Sequence, residues 1–454
     1  MIVGPKVVAV DDNPVHLKAL ADSFDLLGGL CLTFDYAAAA IRAQPFASGI
    51  RLVFMDINLL PGAGADHGPR NFSPVLQVIR RIVSPDNGPY ALVTWTDTPA
   101  AHAALINFLE QNLPNECKPC AEFCLSKAKY LEDAPALRDR ISTLQAELPG
   151  LAMLLDWEKA VYEAADRSVF GIMSLSSTYG REAGAAVVAT VKAIADAAAG
   201  HGAQTEPFRA FSSGMGPVLI DRLEHAAPDN RTESKWAKAL RKIPKADLNG
   251  RQISALNSFL HYAPVNQLSK GPGVVYELGI PDVIGYLRPE YRSARKALLS
   301  GEFVPLKDLI KQGRTPKDIS DGLIFAKSCK WRFVQMGAAC DYVNKKSRVV
   351  AGHLAVQLPE TSFGYTHLIK GGTQFSDNPH NSDWLFQTPP FDESGRRCAL
   401  IVNLRFPLIF SRSAASALVP VYRCREALAS EIATSSAQYS IRPGIVEFRK
   451  QLRG

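Results

Sequence analysis

The sequence predicts an α/β protein in three parts: a doubly wound, parallel five-stranded sheet, then a helical region, then an α+β C-terminal domain. Through residues 1–150, short apolar runs alternate with amphipathic helical stretches, a pattern typical of a parallel sheet covered on both faces. From Leu151 the helical patterns lengthen, and from Pro272 strand patterns return between turn residues. We expect domains over 1–148, 149–270 and 271–454.

Five apolar runs in the first part predict the strands of its sheet. They cover residues 6–10, 31–34, 51–55, 90–93 and 123–125. An amphipathic stretch over 14–27 predicts the first helix. Ser73 and Pro74 predict the start of the second, because serine favours the N-cap and proline favours the first helical position. A helix over 134–148 closes this part.

The same patterns predict the later elements. Helices are expected over 151–165, 181–199, 217–226 and 252–262, with a basic segment at 234–251. Four apolar runs, at 273–278, 331–336, 347–358 and 398–410, are separated by turn residues and predict a mostly antiparallel sheet. A helix over 421–434 and a tail strand over 444–448 end the chain.

Composition limits the class of protein. The chain has 454 residues, of which 47% are hydrophobic and 21% are charged, so disordered, collagenous and small disulfide-rich classes are excluded. Its apolar runs fall short of the ~18 to 20 residues that a bilayer span needs, and its first residues are typical of a buried strand and not of a signal peptide. We therefore expect a cytoplasmic protein with reduced cysteines and no membrane partner.

The charge is unevenly divided along the chain. Residues 1–150 carry 12 basic and 16 acidic side chains, whereas the other 304 carry 39 and 28, so the two parts have different electrostatic tasks. A basic run in the second part could contact nucleic-acid phosphates, although its spacing is more often that of a solvated helix face. The run consists of Lys235, Lys238, Arg241, Lys242 and Lys245, with Trp236 among them. Nucleic acid is therefore the less favoured partner.

Polar residues follow the predicted strands of the first part. Asp11 and Asp12 follow the first strand, and Asp56 follows another about 45 residues later. Ligands of such sheets lie at the carboxyl ends of the strands, so the three carboxylates are expected to meet there, where a cation must offset their repulsion. Mg²⁺ suits hard oxygen ligands. Thr94 and Lys127 follow two further strands and add a hydroxyl and an ammonium, a set that can transfer a phosphoryl group to Asp56.

Four motifs, VVAVDDNP, MDINLLP, PYALVT and CLSKA, together resemble the receiver domain of two-component response regulators over roughly residues 5–147. The resemblance implies a flavodoxin-like fold, dependence on Mg²⁺ and phosphorylation of Asp56 by a histidine kinase or phosphotransfer protein. It also implies that Thr94 is a switch hydroxyl and that the backbone carbonyl of Asn58 is a metal ligand beside Asp11, Asp12 and Asp56.

Three departures separate the chain from ordinary receivers. Ala128 stands where the family has a proline after the lysine, Trp95 stands where a small residue is usual, and the loop over 61–71 is long. With these departures, the chain resembles a divergent receiver class of bacterial conflict and anti-phage systems.

Two local patterns have simpler interpretations. Asp11 and Asp12 alone would suit a helix N-cap, an interpretation that the other strand-end residues disfavour. Zinc needs four ligands, and Cys117, Cys120 and Cys124 have no evident fourth, so incidental thiols are favoured.

We expect a phosphoacceptor that acts as a signalling regulator or a phosphate sink in antiviral defence, with an effector protein as a further partner. No enzymatic activity is expected beyond the receiver's own phosphorylation and dephosphorylation. One alternative is an effector enzyme acting on nucleotide or nucleic acid, for which Cys340 and Asp341 with His353 are the candidate residues. A buried thiol is the simpler interpretation of Cys340. A second alternative is a DNA-binding response regulator.

Overall fold

The computed structural model divides the chain into two compact units. One comprises Met1–Asp166 and Leu223–Pro244, and the other comprises Arg167–Arg222 and Lys245–Gly454. The structure describes residues 6–36, 49–59, 69–176, 183–225, 230–242, 248–265, 271–287, 289–299, 302–303, 328–337, 349–365, 369–370, 374–375 and 384–440. The domain boundaries expected at 148 and 270 remain predictions, and the expected tail strand lies outside the described residues.

A parallel sheet of five strands organises the first unit. Its strands are β1 (Val7–Asp11), β2 (Cys31–Asp35), β3 (Leu52–Met55), β4 (Ala91–Thr96) and β5 (Ala121–Ser126). They lie in the order β2-β1-β3-β4-β5, and each neighbouring pair is parallel. The predicted five-stranded parallel sheet is confirmed.

Of the helices described beside this sheet, three were predicted, and two of these begin at the predicted residues, 14 and 134. The described helices are α1 (Pro14–Leu26), α2 (Pro69–Ile82), α3 (His102–Asn112), α4 (Lys127–Tyr130) and α5 (Ala134–Glu147). Asn13 caps α1 by accepting a hydrogen bond from the backbone of Val15. The predicted start of the second helix at Ser73 and Pro74 is wrong, because α2 begins a turn earlier and thereby buries Phe72.

Successive residues of the strands pack on opposite faces of the sheet, as the two-residue period of a strand requires. Val8, Val53 and Leu92 belong to a core cluster with α2 and α3. Ala9 and Phe54 belong to a second cluster with α1 and α5. Both faces are therefore covered, and the carboxyl ends of the strands are left to form a site.

The remaining helices follow in sequence. They are α6 (Pro149–Ser176), α7 (Ala183–Ala199), α8 (Pro207–Glu224), α9 (Asn230–Lys242), α10 (Gly250–His261), α11 (Ile280–Tyr286), α12 (Ala294–Leu299), α13 (Arg412–Ser416) and α14 (Glu426–Ser440). Among the described residues, no helix is both long and apolar enough to span a bilayer.

An antiparallel sheet organises the C-terminal part. Its strands are β6 (Tyr262–Pro264), β7 (Val274–Glu277), β8 (Lys330–Met336), β9 (Val349–Pro359), β12 (Leu385–Gln387), β13 (Phe391–Glu393), β14 (Arg396–Ser411) and β15 (Pro420–Cys424), while β10 (Ile369–Lys370) and β11 (Gln374–Phe375) form a separate pair. The order is β12-β14-β9-β8-β7-β15-β6, with β13 beside β14.

One predicted helix of this part begins later than expected, because a strand occupies its first residues. The helix expected over 421–434 begins only at Glu426, because residues 420–424 form β15 and pair with both β6 and β7. The pairing buries Tyr422 and Cys424 in a core cluster with Leu428 of α14. Tertiary pairing thus decides between strand and helix in a short apolar run.

Candidate functional site

The carboxyl ends of two neighbouring strands bring three carboxylates together. Asp11 ends β1, Asp12 follows it, and Asp56 directly follows β3, whose Met55 is paired with Val10. One oxygen from each carboxylate lies within 4.8 Å of the others. Asp11 and Asp56 are buried, and Asp12 is half-buried. The predicted acidic cluster is present, and its geometry could hold a metal ion.

Lys127 reaches this cluster from the end of β5, where it begins α4. Its Nζ lies 2.9 Å from Oδ2 of Asp11 and 2.8 Å from Oδ2 of Asp56. The lysine side chain is 3% exposed, so the two ion pairs are shielded from solvent. One ammonium therefore bridges carboxylates at the ends of two different strands.

Burial and charge act together on the ionisation of these groups. Burial raises the pKa of Asp11 and the nearby Asp56 adds to the effect, while Lys127 opposes both. Burial alone would lower the pKa of Lys127, but its attraction to Asp56 and Asp11 outweighs burial and leaves that pKa raised. The ammonium is therefore charged at neutral pH.

Asp11 is held from two sides. Its Oδ1 accepts a hydrogen bond from the backbone N–H of Asn13 at 2.9 Å and lies 3.3 Å from Nδ1 of His16. Its buried Oδ2 lies 2.9 Å from the ammonium of Lys127. A carboxylate oxygen has more than one lone pair, so Oδ2 can coordinate a cation beside this contact.

Asn58 connects the acidic cluster to the loop after β4. Its backbone N–H donates to Oδ1 of Asp56 over 3.3 Å, and its side-chain Nδ2 donates to Oγ1 of Thr98 over 2.9 Å. The metal-ligand role of its backbone carbonyl stays a prediction. The side-chain contact was not expected from the sequence.

Thr94 is fully buried, and its hydroxyl is bonded within the fold. The hydroxyl donates to the backbone carbonyl of Phe123 over 3.1 Å and lies 2.9 Å from Nδ1 of His102. Burial lowers the pKa of His102, and because the one hydrogen of the Thr94 hydroxyl goes to Phe123, the Nδ1–H of the neutral imidazole donates this second bond. In the register of the sheet Thr94 pairs with Met55, one residue before the acidic end of β3. Its switch role stays a prediction.

Sequence reasoning missed two hydroxyls and two histidines at this edge: Thr96, Thr98, His16 and His102. The signal for the hydroxyls was the alternation of threonines at 94, 96 and 98, because alternate strand residues point to the same face. Nothing in the sequence singled out the histidines, which lie in the helices that follow β1 and β4.

The other candidate residues lie apart from one another or outside the described residues. In the described parts of the chain, the carboxylate trio is the single group of three metal-ligating side chains placed this closely. Cys117 is buried, Cys120 is exposed and Cys124 is half-buried. Cys340 and Asp341 lie outside the described residues.

The predicted basic face is present on α9, where Lys235, Lys238 and Arg241 are exposed; Lys245 lies outside the described residues. Trp236 is half-buried and donates from Nε1 to Oδ2 of Asp156 over 3.2 Å. The tryptophan thus anchors the helix, whereas the basic side chains face solvent.

Comparison with known proteins gives no further assignment. No protein-family model matches the chain, and no curated protein is found to be similar to it. The function is therefore inferred from the residues of the site itself.

Proposed function

We propose that the parallel-sheet unit is a receiver-like phosphoacceptor in which Asp56 takes a phosphoryl group from a histidine kinase or phosphotransfer protein. The observation that carries the proposal is the buried ammonium of Lys127 between Asp11 and Asp56, at 2.9 and 2.8 Å. The strand order 2-1-3-4-5 supports a flavodoxin-like sheet, in which ligands bind at the carboxyl ends of the strands.

Asp56 is better suited to be the acceptor than Asp11. Asp11 is bound through Oδ1 to a backbone N–H at 2.9 Å, and His16 lies beside the same oxygen. Oδ1 of Asp56 has the weaker bond, from Asn58 at 3.3 Å. A nucleophilic oxygen must give up its hydrogen bonds as it attacks, so Oδ1 of Asp56 reacts more readily than Oδ1 of Asp11.

The donor set fits Mg²⁺. An octahedral site with oxygen ligands at about 2.1 Å places opposite oxygens about 4.2 Å apart, close to the 4.8 Å within which the carboxylate oxygens already lie. Asp11, Asp12, Asp56 and the backbone carbonyl of Asn58 would hold the ion. When bound, it would neutralise charge on the phosphoryl donor and orient that donor at the site.

The chain's own residues perform the transfer. A carboxylate oxygen of Asp56 attacks phosphorus and forms a new O–P bond, the bond from phosphorus to the histidine nitrogen breaks, and that nitrogen keeps the electron pair and takes a proton. Lys127, held at 2.8 Å from the carboxylate, donates to the phosphoryl oxygens as their charge increases. Thr94 can assist only after its bonds to Phe123 and His102 are exchanged.

Labelling with radioactive acetyl phosphate tests the proposal on the full chain. Wild-type protein should incorporate label in Mg²⁺ and lose this ability in excess EDTA, whereas Asp56→Asn should remain unlabelled. Asp35→Asn is the matched control, because Asp35 ends the neighbouring strand β2 and pairs with Asp11 without belonging to the carboxylate trio. Label in Asp56→Asn at the wild-type level would refute the assignment.

We also propose a cytoplasmic signalling role, as a regulator acting through an effector protein or as a phosphate sink in antiviral defence. The lifetime of the phosphoaspartate separates these roles. A phosphate sink should lose its label rapidly without a partner, whereas a regulator should keep the label long enough for the phosphorylated form to bind one.

A further inference from the structure

The helix α10 is attached to the C-terminal sheet by its polar side. Oγ of Ser258 accepts a hydrogen bond from the backbone N–H of Asp392 over 2.7 Å, and Nδ2 of Asn257 donates to the carbonyl of Pro390 over 2.8 Å. Ser254, one turn before Ser258 on the same face, is buried. The polar side of the helix is therefore fixed to the sheet at β13.

The apolar side of α10 is exposed to solvent. Ile253, Leu256, Phe259 and Leu260 are 38, 48, 74 and 56% exposed. Their spacing of three and four residues places them in one stripe, which we call the α10 face. A helix on the surface of a globular protein normally buries such a stripe and exposes its polar side, so α10 has the reverse orientation. The α10 face is therefore suited to contact a further apolar surface.

The area of the α10 face is close to what a stable dimer needs. Side chains of this size present roughly 170 to 200 Å² when fully exposed, so the four together present on the order of 400 Å². A standard interface buries about 800 Å² per partner, and about 65% of a homodimer interface is apolar. The α10 face thus supplies most of the apolar area that one copy contributes to such an interface.

The charge on α10 favours pairing with an identical helix in the antiparallel direction. The sequence of the helix contains a single Arg, Arg251 in its first turn, and no Asp, Glu or Lys. The last turn of a helix is the negative end of its dipole. Antiparallel pairing places each Arg251 towards the last turn of the other helix and separates the two arginines by roughly 16 Å along the axis, at a rise of 1.5 Å per residue. Parallel pairing would place them side by side.

We propose that two copies of this chain associate through their α10 faces about a two-fold axis, with the two helices antiparallel. Leu256 lies near the middle of the stripe, so the axis passes beside it and Leu256 contacts Leu256 of the partner subunit. Ile253 packs against Leu260 of the partner subunit, and the symmetry repeats this contact on the other side of the axis. The dimer forms through the C-terminal unit and does not depend on phosphorylation of Asp56.

Sedimentation velocity of the unphosphorylated full chain tests the proposal. Between about 1 and 200 µM the wild type should shift from monomer towards dimer by mass action. Leu256→Asp should raise the dissociation constant about 100-fold or more, because two carboxylates would then face each other across the axis. Val188→Asp is the matched control, since Val188 is 68% exposed on another helix, α7, and this variant should dimerise as the wild type does. Circular dichroism checks that each variant is folded.

Mixing two variants tests the two-fold geometry. Leu256→Lys alone should be monomeric, like Leu256→Asp, whereas an equimolar mixture of the two should form a heterodimer, because opposite charges then meet at the axis. The inference is wrong if this mixture remains monomeric, if Leu256→Asp dimerises as the wild type does, or if Val188→Asp weakens the dimer equally. A wild type that stays monomeric at about 200 µM would also overturn it, and the α10 face would then belong to another occupant, such as a different protein or a membrane surface.

Discussion

Replacement of Lys127 by methionine tests whether its buried ammonium stabilises the site. Methionine keeps an unbranched side chain of similar length, so the change removes charge with little loss of packing. Each Lys127 contact is worth roughly 6 kcal/mol at an effective dielectric constant of 20 and a separation of 2.9 Å. Desolvation of the three groups offsets much of this, and breaking a buried pair typically costs about 3 to 5 kcal/mol.

The lower end of that range is expected here. Burial already raises the pKa of Asp11, so this carboxyl can take up a proton in the variant and relieve part of the repulsion. Lys127 has a raised pKa, so its contribution to stability is fully present below its unfolded value of about 10.4 and is lost as pH rises through the folded value. At pH 7.5 in EDTA, Lys127→Met should therefore cost about 3 kcal/mol.

Native-state hydrogen exchange of β1 and β3 measures this cost in the unit concerned. Mg²⁺ should restore more stability to Lys127→Met than it adds to the wild type, because the ion replaces the missing positive charge. At a Mg²⁺ concentration 100 times the dissociation constant of the variant, binding contributes about 2.7 kcal/mol to the variant and less to the wild type. The reasoning would be refuted if β1 and β3 of the variant were protected from hydrogen exchange in EDTA as strongly as in the wild type. Equal stabilisation of both proteins by the same concentration of Mg²⁺ would also refute it.

Two further predictions concern the C-terminal sheet. Burial lowers the pKa of His353 to about 4, so its contribution to stability is present above about pH 6.5 and is lost as pH falls towards 4, by up to roughly 3 kcal/mol. Urea unfolding across this window should show a flatter pH profile for His353→Gln than for the wild type. Gly352→Ala should cost about 3 kcal/mol, because its Cβ would lie 2.0 Å from the carbonyl oxygen of Val334. Gly285→Ala, where nothing lies within 4 Å, should be nearly neutral in the same unfolding measurement, and equal losses would contradict the packing argument.

The acidic cluster could be predicted from the sequence because it depends on topology alone. Parallel strands end at a common edge, so residues that follow them converge whatever the details of packing. Asp11, Asp56 and Lys127 meet for this reason. The C-terminal part offered no such rule: the order of its strands, and the assignment of residues 420–424 to β15, depend on pairings between segments far apart in sequence.

The placement of the threonines shows where prediction from the sequence ends. Alternation puts Thr94 and Thr96 on the same face of β4, but which of them lies nearer the acceptor depends on the register between β4 and β3. That register pairs Met55 with Thr94, and the buried Tyr90, whose hydroxyl donates to the carbonyl of Cys117 over 2.8 Å, helps to fix the start of β4. The segment that contacts the acceptor loop consequently begins beyond Thr94, at Thr98, whose hydroxyl accepts a hydrogen bond from Nδ2 of Asn58.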